Sequence, residues 1–295
     1  MNEIRMPALD AADPLAFLAA IGVLRVVSRD IPNARLRWVS DGGWSAKLQA
    51  PEPVDLVELL LSDVERWRAG HPAVEFAVDE DRKVQDLKHP PERFRELMLK
   101  LVGDAEAAEF VAAYATGVAV DGSGQTKPTS LHFTAGQQRF MDAVLDLRSN
   151  VTRDDLHEAL FGPWIGRVGP KDTRWRAASE RSRALLSFDP SKEKASTVAG
   201  AAWLAFQALP LFPVVPVGRR VVTTGFTGRG KNEQFTWPLW EPWLELSEVR
   251  VLLGQAELAE MTPRQRQHRG ITQVRRSEVT RSDQGYGNFS ASRPV

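Results

Sequence analysis

The 295-residue chain contains no cysteine. That excludes disulfides, thiolate-held zinc or iron–sulfur centres and a cysteine nucleophile, and it suits a reducing compartment. No basic leader precedes an apolar run, and the most apolar early stretch, Leu15 to Val27, is too short to span a bilayer and carries Arg25. The expected location is therefore cytoplasmic. The five histidines, His71, His89, His132, His157 and His268, are scattered, with no His-x-x-x-His pair and no adjacent carboxylate cluster. No metal or cofactor is expected from that pattern. There is no Gly-x-Ser-x-Gly elbow, no internal repeat and no long low-complexity segment. These absences leave no enzyme that motifs can argue for.

What remains is the composition of a globular protein that can bury a real core, with 43% hydrophobic and 26% charged residues. The zero net charge hides an uneven distribution. Residues 1–150 hold 17 Lys/Arg against 23 Asp/Glu, and residues 151–295 hold 21 against 15. Most of the later bases are arginine, whose planar fork suits phosphate. A basic C-terminal half fits an anionic partner, although salt-bridged helix faces would use the same residues.

The periodicities predict an α+β fold. Asp13 is a good N-cap and Pro14 a good first residue for an apolar helix with Leu15, Phe17, Leu18, Ile21 and Leu24 inward. Alternation over 34–49 around Asp41-Gly-Gly43 predicts a hairpin. Helices are expected from Pro53 to about Ala69, from Pro90-Pro91, over 104–115, from Gly136 to Leu147, from the capping box at Thr152-Arg-Asp-Asp155, and over 197–209. Residues 74–78 read as a short strand. After Pro210 the chain turns β-prone, with segments 212–217, 220–226 and 234–237, a helix from Ser247 to about Leu253, and a weakly alternating tail over 271–289. The clearest break, Asp121-Gly-Ser-Gly-Gln-Thr-Lys-Pro128, divides an N-terminal α+β region (1–120) from a basic C-terminal α+β region (121–295), the alternative being one continuous domain.

Candidate chemistry is of one kind. Gly225-Phe-Thr-Gly-Arg-Gly-Lys-Asn232 matches seven positions of a phosphate-binding P-loop, but Asn232 stands where Ser or Thr should hold magnesium. A β-prone segment also follows where a helix is needed, so a hairpin loop is expected. Trp164 to Arg176 interleaves Arg167, Lys171, Arg174 and Arg176 with two tryptophans, the pattern of base stacking beside phosphate contacts. The same tryptophans could equally be core anchors. The nucleic-acid contacts predicted in all are Lys127, Arg167, Lys171, Arg174, Arg176, Arg219, Arg220, Arg229, Lys231, Arg275 and Arg276. His132, beside the polar loop, reads more simply as structural than as catalytic. Trp237-Pro-Leu-Trp-Glu-Pro-Trp243 is either an extended cap over the core or an exposed docking surface.

Three lines carry a resemblance: Pro14-Leu-Ala-Phe-Leu-Ala-Ala-Ile-Gly-Val-Leu-Arg25 after an opening strand, Thr129-Ser-Leu-His-Phe-Thr-Ala-Gly-Gln-Gln138, and Leu209-Pro-Leu-Phe-Pro-Val-Val-Pro-Val-Gly-Arg-Arg220 with its Thr-Thr-Gly continuation and Trp-Pro-Leu-Trp segment. The chain resembles proteins of type I-U (I-G) CRISPR loci, in the large-subunit-like and helicase-nuclease-extension families. It has neither the histidine–aspartate nuclease motif nor the helicase motifs of the effector nuclease. The resemblance implies a non-catalytic, nucleic-acid-binding subunit of a type I antiviral interference complex. Its implied partners are guide RNA, target DNA, other effector subunits and the helicase-nuclease. The alternative is an adaptor that tethers the nuclease and touches no nucleic acid.

Overall fold

In the computed structural model, Asp13 begins the first helix as its sequence requires: its side chain accepts from the Leu15 N–H, and Pro14 occupies the first turn. The structure describes residues 1–75, 86–135, 138–177, 196–218, 220–255, 257–282 and 285–295. The chain opens with β1 (Asn2–Asp10), α1 (Pro14–Asp30) and the hairpin β2 (Arg35–Ser40) and β3 (Trp44–Ala50). Then come α2 (Leu56–Arg68), α3 (Pro72–Glu75), α4 (Pro91–Lys100) and α5 (Ala105–Tyr114). A second hairpin, β4 (Ala115–Val120) and β5 (Thr126–Pro128), leads to α6 (Phe140–Asn150), α7 (Arg153–Phe161) and α8 (Ala199–Gln207). The last third holds β6 (Val214–Val217), β7 (Arg220–Thr223), β8 (Phe226–Thr227), β9 (Gln234–Trp240) and β10 (Leu244–Glu245). It closes with α9 (Leu246–Leu253), α10 (Pro263–His268), β11 (Ile271–Arg281), β12 (Gly287–Phe289) and β13 (Arg293–Pro294). The fold is α+β.

Two antiparallel sheets flank the helices. The first has the order β1-β3-β2-β10, and the second β12-β11-β9-β8 with β13 beside β11. Because β10 pairs with β2, the first sheet joins residues from both sides of the loop at 121–128. One core does the same, running from Met6 to Phe289. Every residue from Pro14 to Val27 is buried, so α1 is the centre of the molecule rather than a surface helix. Its Phe17 ring lies 5.8 Å from Trp38 and 5.6 Å from Trp237, which ties both sheets to one helix.

A charged knot fastens the helices at one end of this core. Arg25 on α1 reaches Glu106 on α5 at 3.0 Å and Gln207 on α8 at 3.2 Å. Arg66 on α2 binds Glu106 at 2.8 Å and the buried Asp63 at 2.9 Å. Burial alone would raise the Glu106 carboxyl. The hydrogen bonds of His71 and Arg66 and the charges of Arg25 and Arg66 outweigh it and hold that carboxyl well below its usual range. Such a knot fixes the mutual register of the helices more than it adds stability.

Three expectations need correction. Residues 72–75 form a helical turn where a strand over 74–78 was expected, and residues 76–78 lie outside the described residues. The helix expected from Gly136 starts at Phe140. Trp237-Pro-Leu-Trp-Glu-Pro-Trp243 is extended and packed on the core rather than a docking surface, but its first part is strand β9 inside the second sheet. Trp237 and Trp240 are fully buried and their indole N–H groups donate to Ala11 and Leu36 carbonyls, and Trp243 lies under the Arg37 guanidinium.

Candidate nucleic-acid groove

The segment Thr129–Ala135 has no regular structure, so its backbone groups need partners elsewhere. They find them on distant elements. Thr129 donates its N–H to the Tyr114 carbonyl, and Ser130 donates to the Thr223 hydroxyl at the end of β7. The Leu131 carbonyl accepts from the Trp175 indole and the Phe133 carbonyl from the Gly287 N–H. The segment is thereby fixed as the floor between helices and the second sheet.

Asp86 and His132 meet on this floor. The His132 Nε2 lies 2.8 Å from Asp86 Oδ2, and Asp86 Oδ1 accepts from the Phe140 N–H at the start of α6. Burial would raise the Asp86 carboxyl, but the bond and charge of His132 and the backbone N–H groups win, and it sits below its usual range. Arg281 at the end of β11 donates to Glu233 at 2.9 Å and to the His132 carbonyl at 3.4 Å. Lys88 reaches Asp121 at 3.2 Å. These groups ring an open cleft of about 520 Å³.

Three more clefts adjoin it through shared walls. One of about 730 Å³ shares Ser130 and Glu233 and is walled by β7 and the Gly228–Asn232 loop, which bring Arg220 and Arg229. A smaller one of about 300 Å³ shares Thr134 and Gln138 and brings Lys171 and Arg174. The last, about 540 Å³, shares Val222, Thr223, Phe226 and Thr227 with the second and brings Arg276. The clefts adjoin one another through these shared residues, and residues of 129–135 together with Gln138 line the first three of them.

The predicted cations divide into two groups. Lys171, Arg174, Arg220, Arg229 and Arg276 line these clefts. Arg220 and Arg229 are exposed, and their side chains make no ion pair or hydrogen bond with any described residue. Lys127 pairs with Thr116 across the β4–β5 hairpin, next to the cleft-lining Pro128. Three others serve the fold. Arg167 clamps Asp155 with two bonds of 2.8 Å and a third to the Asn150 carbonyl. Arg275 is spent on Ser292 and Gln273. Arg176 lies over the Trp164 ring at 5.6 Å. Arg174, though it lines a cleft, also bonds the Gly287 carbonyl and the Asn288 amide oxygen and covers Tyr286. Arg219 and the side chain of Lys231 lie outside the described residues.

The P-loop-like segment is a hairpin. Phe226 and Thr227 pair with Phe235 and Gln234, and a single turn of 3-10 helix, Gly230–Asn232, fills the bend. Gly228 is required there by geometry: its φ is +75°, and a Cβ would lie 1.9 Å from the Asn232 carbonyl oxygen. No helix N-terminus follows to face a phosphate, since the chain passes directly into β9.

Sequence reasoning did not find Asp86, Glu233 or Arg281. Their partners lie 46, 48 and 149 residues away, and no local spacing announces such pairs. Among the described residues, no group of three or more His, Asp or Glu could hold a metal ion, and no helix is long and apolar enough to cross a membrane. Compared with known protein families and with curated proteins, the sequence matches none of the family models and none of the curated proteins.

Proposed function

We propose that this chain is a nucleic-acid-binding, non-catalytic subunit of a type I CRISPR interference complex, and that the linked clefts take a nucleic-acid strand. One observation carries the reading: Lys171, Arg174, Arg220, Arg229 and Arg276, spread over 106 residues of sequence, line three clefts that adjoin one another or the central cleft through shared wall residues. Exposed guanidinium groups without carboxylate partners among the described residues, here Arg220 and Arg229, are what a phosphate backbone needs. The resemblance of the 129–138 line to the CRISPR-associated families supplies the biological context, since its described residues line the central cleft. Guide RNA, target DNA and neighbouring effector subunits are the proposed partners.

Binding of a labelled duplex and its separate strands across a salt series tests the reading. A phosphate-binding track loses affinity in proportion to the logarithm of salt concentration as counterions are released. No measurable binding at low salt would overturn it.

A second reading, an adaptor that recruits the nuclease, is favoured by a different surface. Val118 and Val120 on β4 and Val215, Val217 and Val222 on β6 and β7 are exposed, and β4 packs against both other strands. Exposed apolar side chains on adjoining hairpins suit contact with another protein. Co-purification with the other effector subunits, without nucleic-acid binding, would put the adaptor reading first.

A further inference from the structure

Carboxylates are unwelcome beside phosphates, yet Asp86, Asp121 and Glu233 all line the central cleft. Two of them are saturated. Asp86 uses Oδ2 on His132 and Oδ1 on the Phe140 N–H. Asp121 uses Oδ1 on Ser123 and the Gln125 N–H, and Oδ2 on Lys88. Both are fully committed to holding the loops in shape.

Glu233 differs. Its Oε2 accepts from Arg281 at 2.9 Å, while no described residue donates to Oε1. The side chain is 13% exposed and stands in the wall shared by the central cleft and the cleft of Arg220 and Arg229. The wall shared by these two clefts thus carries a carboxylate oxygen with no donor among the described residues, its charge offset by Arg281, and the second cleft is also lined by the exposed Arg220 and Arg229. A strand whose phosphates meet Arg220 and Arg229 brings one recurrent backbone donor past the same cleft wall, the ribose 2′-hydroxyl. Carboxylates accept from ribose hydroxyls in nucleotide sites generally, and the 2′-hydroxyl is what separates RNA from DNA.

We infer that Glu233 reads the ribose 2′-hydroxyl and makes the track selective for RNA over DNA, Arg220 and Arg229 holding the adjacent phosphates. The inference rests on the proposed function and adds the class of strand. On DNA the same carboxylate gains no hydrogen bond and faces the backbone as a like charge.

The test uses the full chain and three labelled single strands of one sequence: RNA, DNA and 2′-O-methyl RNA, which keeps the ribose oxygen but loses the donor. Wild type is expected to bind RNA roughly tenfold more tightly than either of the others, as for a hydrogen bond to a charged group. Glu233→Ala should bring RNA down to the DNA level and leave DNA binding equal or stronger. Asp121→Ala should keep the preference. Equal binding of RNA, DNA and methylated RNA by wild type overturns the inference while leaving the track a nucleic-acid site. So does a preference that survives in folded Glu233→Ala. Failure to bind any strand removes the proposed function itself, and the inference with it.

Discussion

Gly22 on α1 lies directly against the backbone of Leu204 on α8: a Cβ at position 22 would stand 1.8 Å from the Leu204 carbonyl oxygen and 3.3 Å from the Ala208 nitrogen. The central helix pair can approach this closely only because position 22 has no side chain. Alanine is the better helix former by about 1 kcal/mol, so propensity alone would make Gly22→Ala stabilising. The clash is with main chain, however, which cannot rotate away as a long side chain can. Separating two buried helices costs more than the propensity gains, and a net loss of about 1–3 kcal/mol is expected. Chemical denaturation of the variant against wild type measures it. A stabilised variant would mean that α1 and α8 are not in contact at this point.

Leu18, on the same helix and 1% exposed, tests the core in the opposite sense. Leu18→Ala removes buried methyl groups without introducing a clash. Within the continuous core the site cannot collapse easily, and a loss of about 2–5 kcal/mol is expected. A change below about 0.5 kcal/mol in denaturant melts would place the residue at a surface.

Much of the fold was legible because its signals are local. The Asp13 cap, the hairpin around Asp41-Gly-Gly43 and the reciprocal bonds of Thr152 and Asp155 all occur within a few residues of one another. The misread elements are decided from further off, or by an unusual group. Val74 and its neighbours look β-prone, but the His71 ring nitrogen accepts from the Ala73 N–H and turns the chain into a helical turn. The start of α6 is set by Asp86, 54 residues upstream, which accepts from Phe140. Pro238 stays inside β9 because β8 covers only Gln234 and Phe235, so a missing N–H on that edge breaks no ladder bond. In the basic run at 164–176 the charge was legible but not its division, Lys171 and Arg174 lining a cleft while Arg167 is held on Asp155. Asp155, twelve residues before Arg167, was read as a helix cap and also holds that guanidinium.

Asp13 carries a pH dependence. Burial pushes its carboxyl from 3.8 up to about 6, against the opposing Leu15 N–H and the Arg176 charge. A carboxyl with a raised folded value binds its proton more tightly in the folded state. Its contribution is therefore fully present below pH 3.8 and is lost as pH rises through about 6. Asn caps a helix as well as Asp does and carries no charge to desolvate. Asp13→Asn should stabilise the protein at pH 7 by about 1–3 kcal/mol and flatten the fall in stability between pH 4 and 6.5. Thermal melts over that range give the answer, and an unchanged slope would remove Asp13 as its source.

The arginines should separate into two classes under mutation. Arg220 and Arg229 are exposed, make no ion pair among the described residues, and sit at the mouth of one cleft. Arg220→Ala with Arg229→Ala should leave the melting transition within about 0.5 kcal/mol of wild type, because surface residues without packed contacts contribute little. The double variant should also weaken binding of every strand, and flatten the dependence of log affinity on log salt by roughly one to two units, as for two lost phosphate contacts. Arg167→Ala should do the reverse. Asp155 is buried beneath it and lowered by that pairing despite its burial, so removing the guanidinium strands a carboxylate and costs about 1–3 kcal/mol. Its salt slope should match wild type. Titration of a labelled strand from low to moderate salt, run beside denaturant melts of the same preparations, compares the two classes directly. If Arg167→Ala flattens the slope and the Arg220/Arg229 variant does not, the strand meets Arg167 rather than the cleft of Arg220 and Arg229, and the proposed site is misplaced.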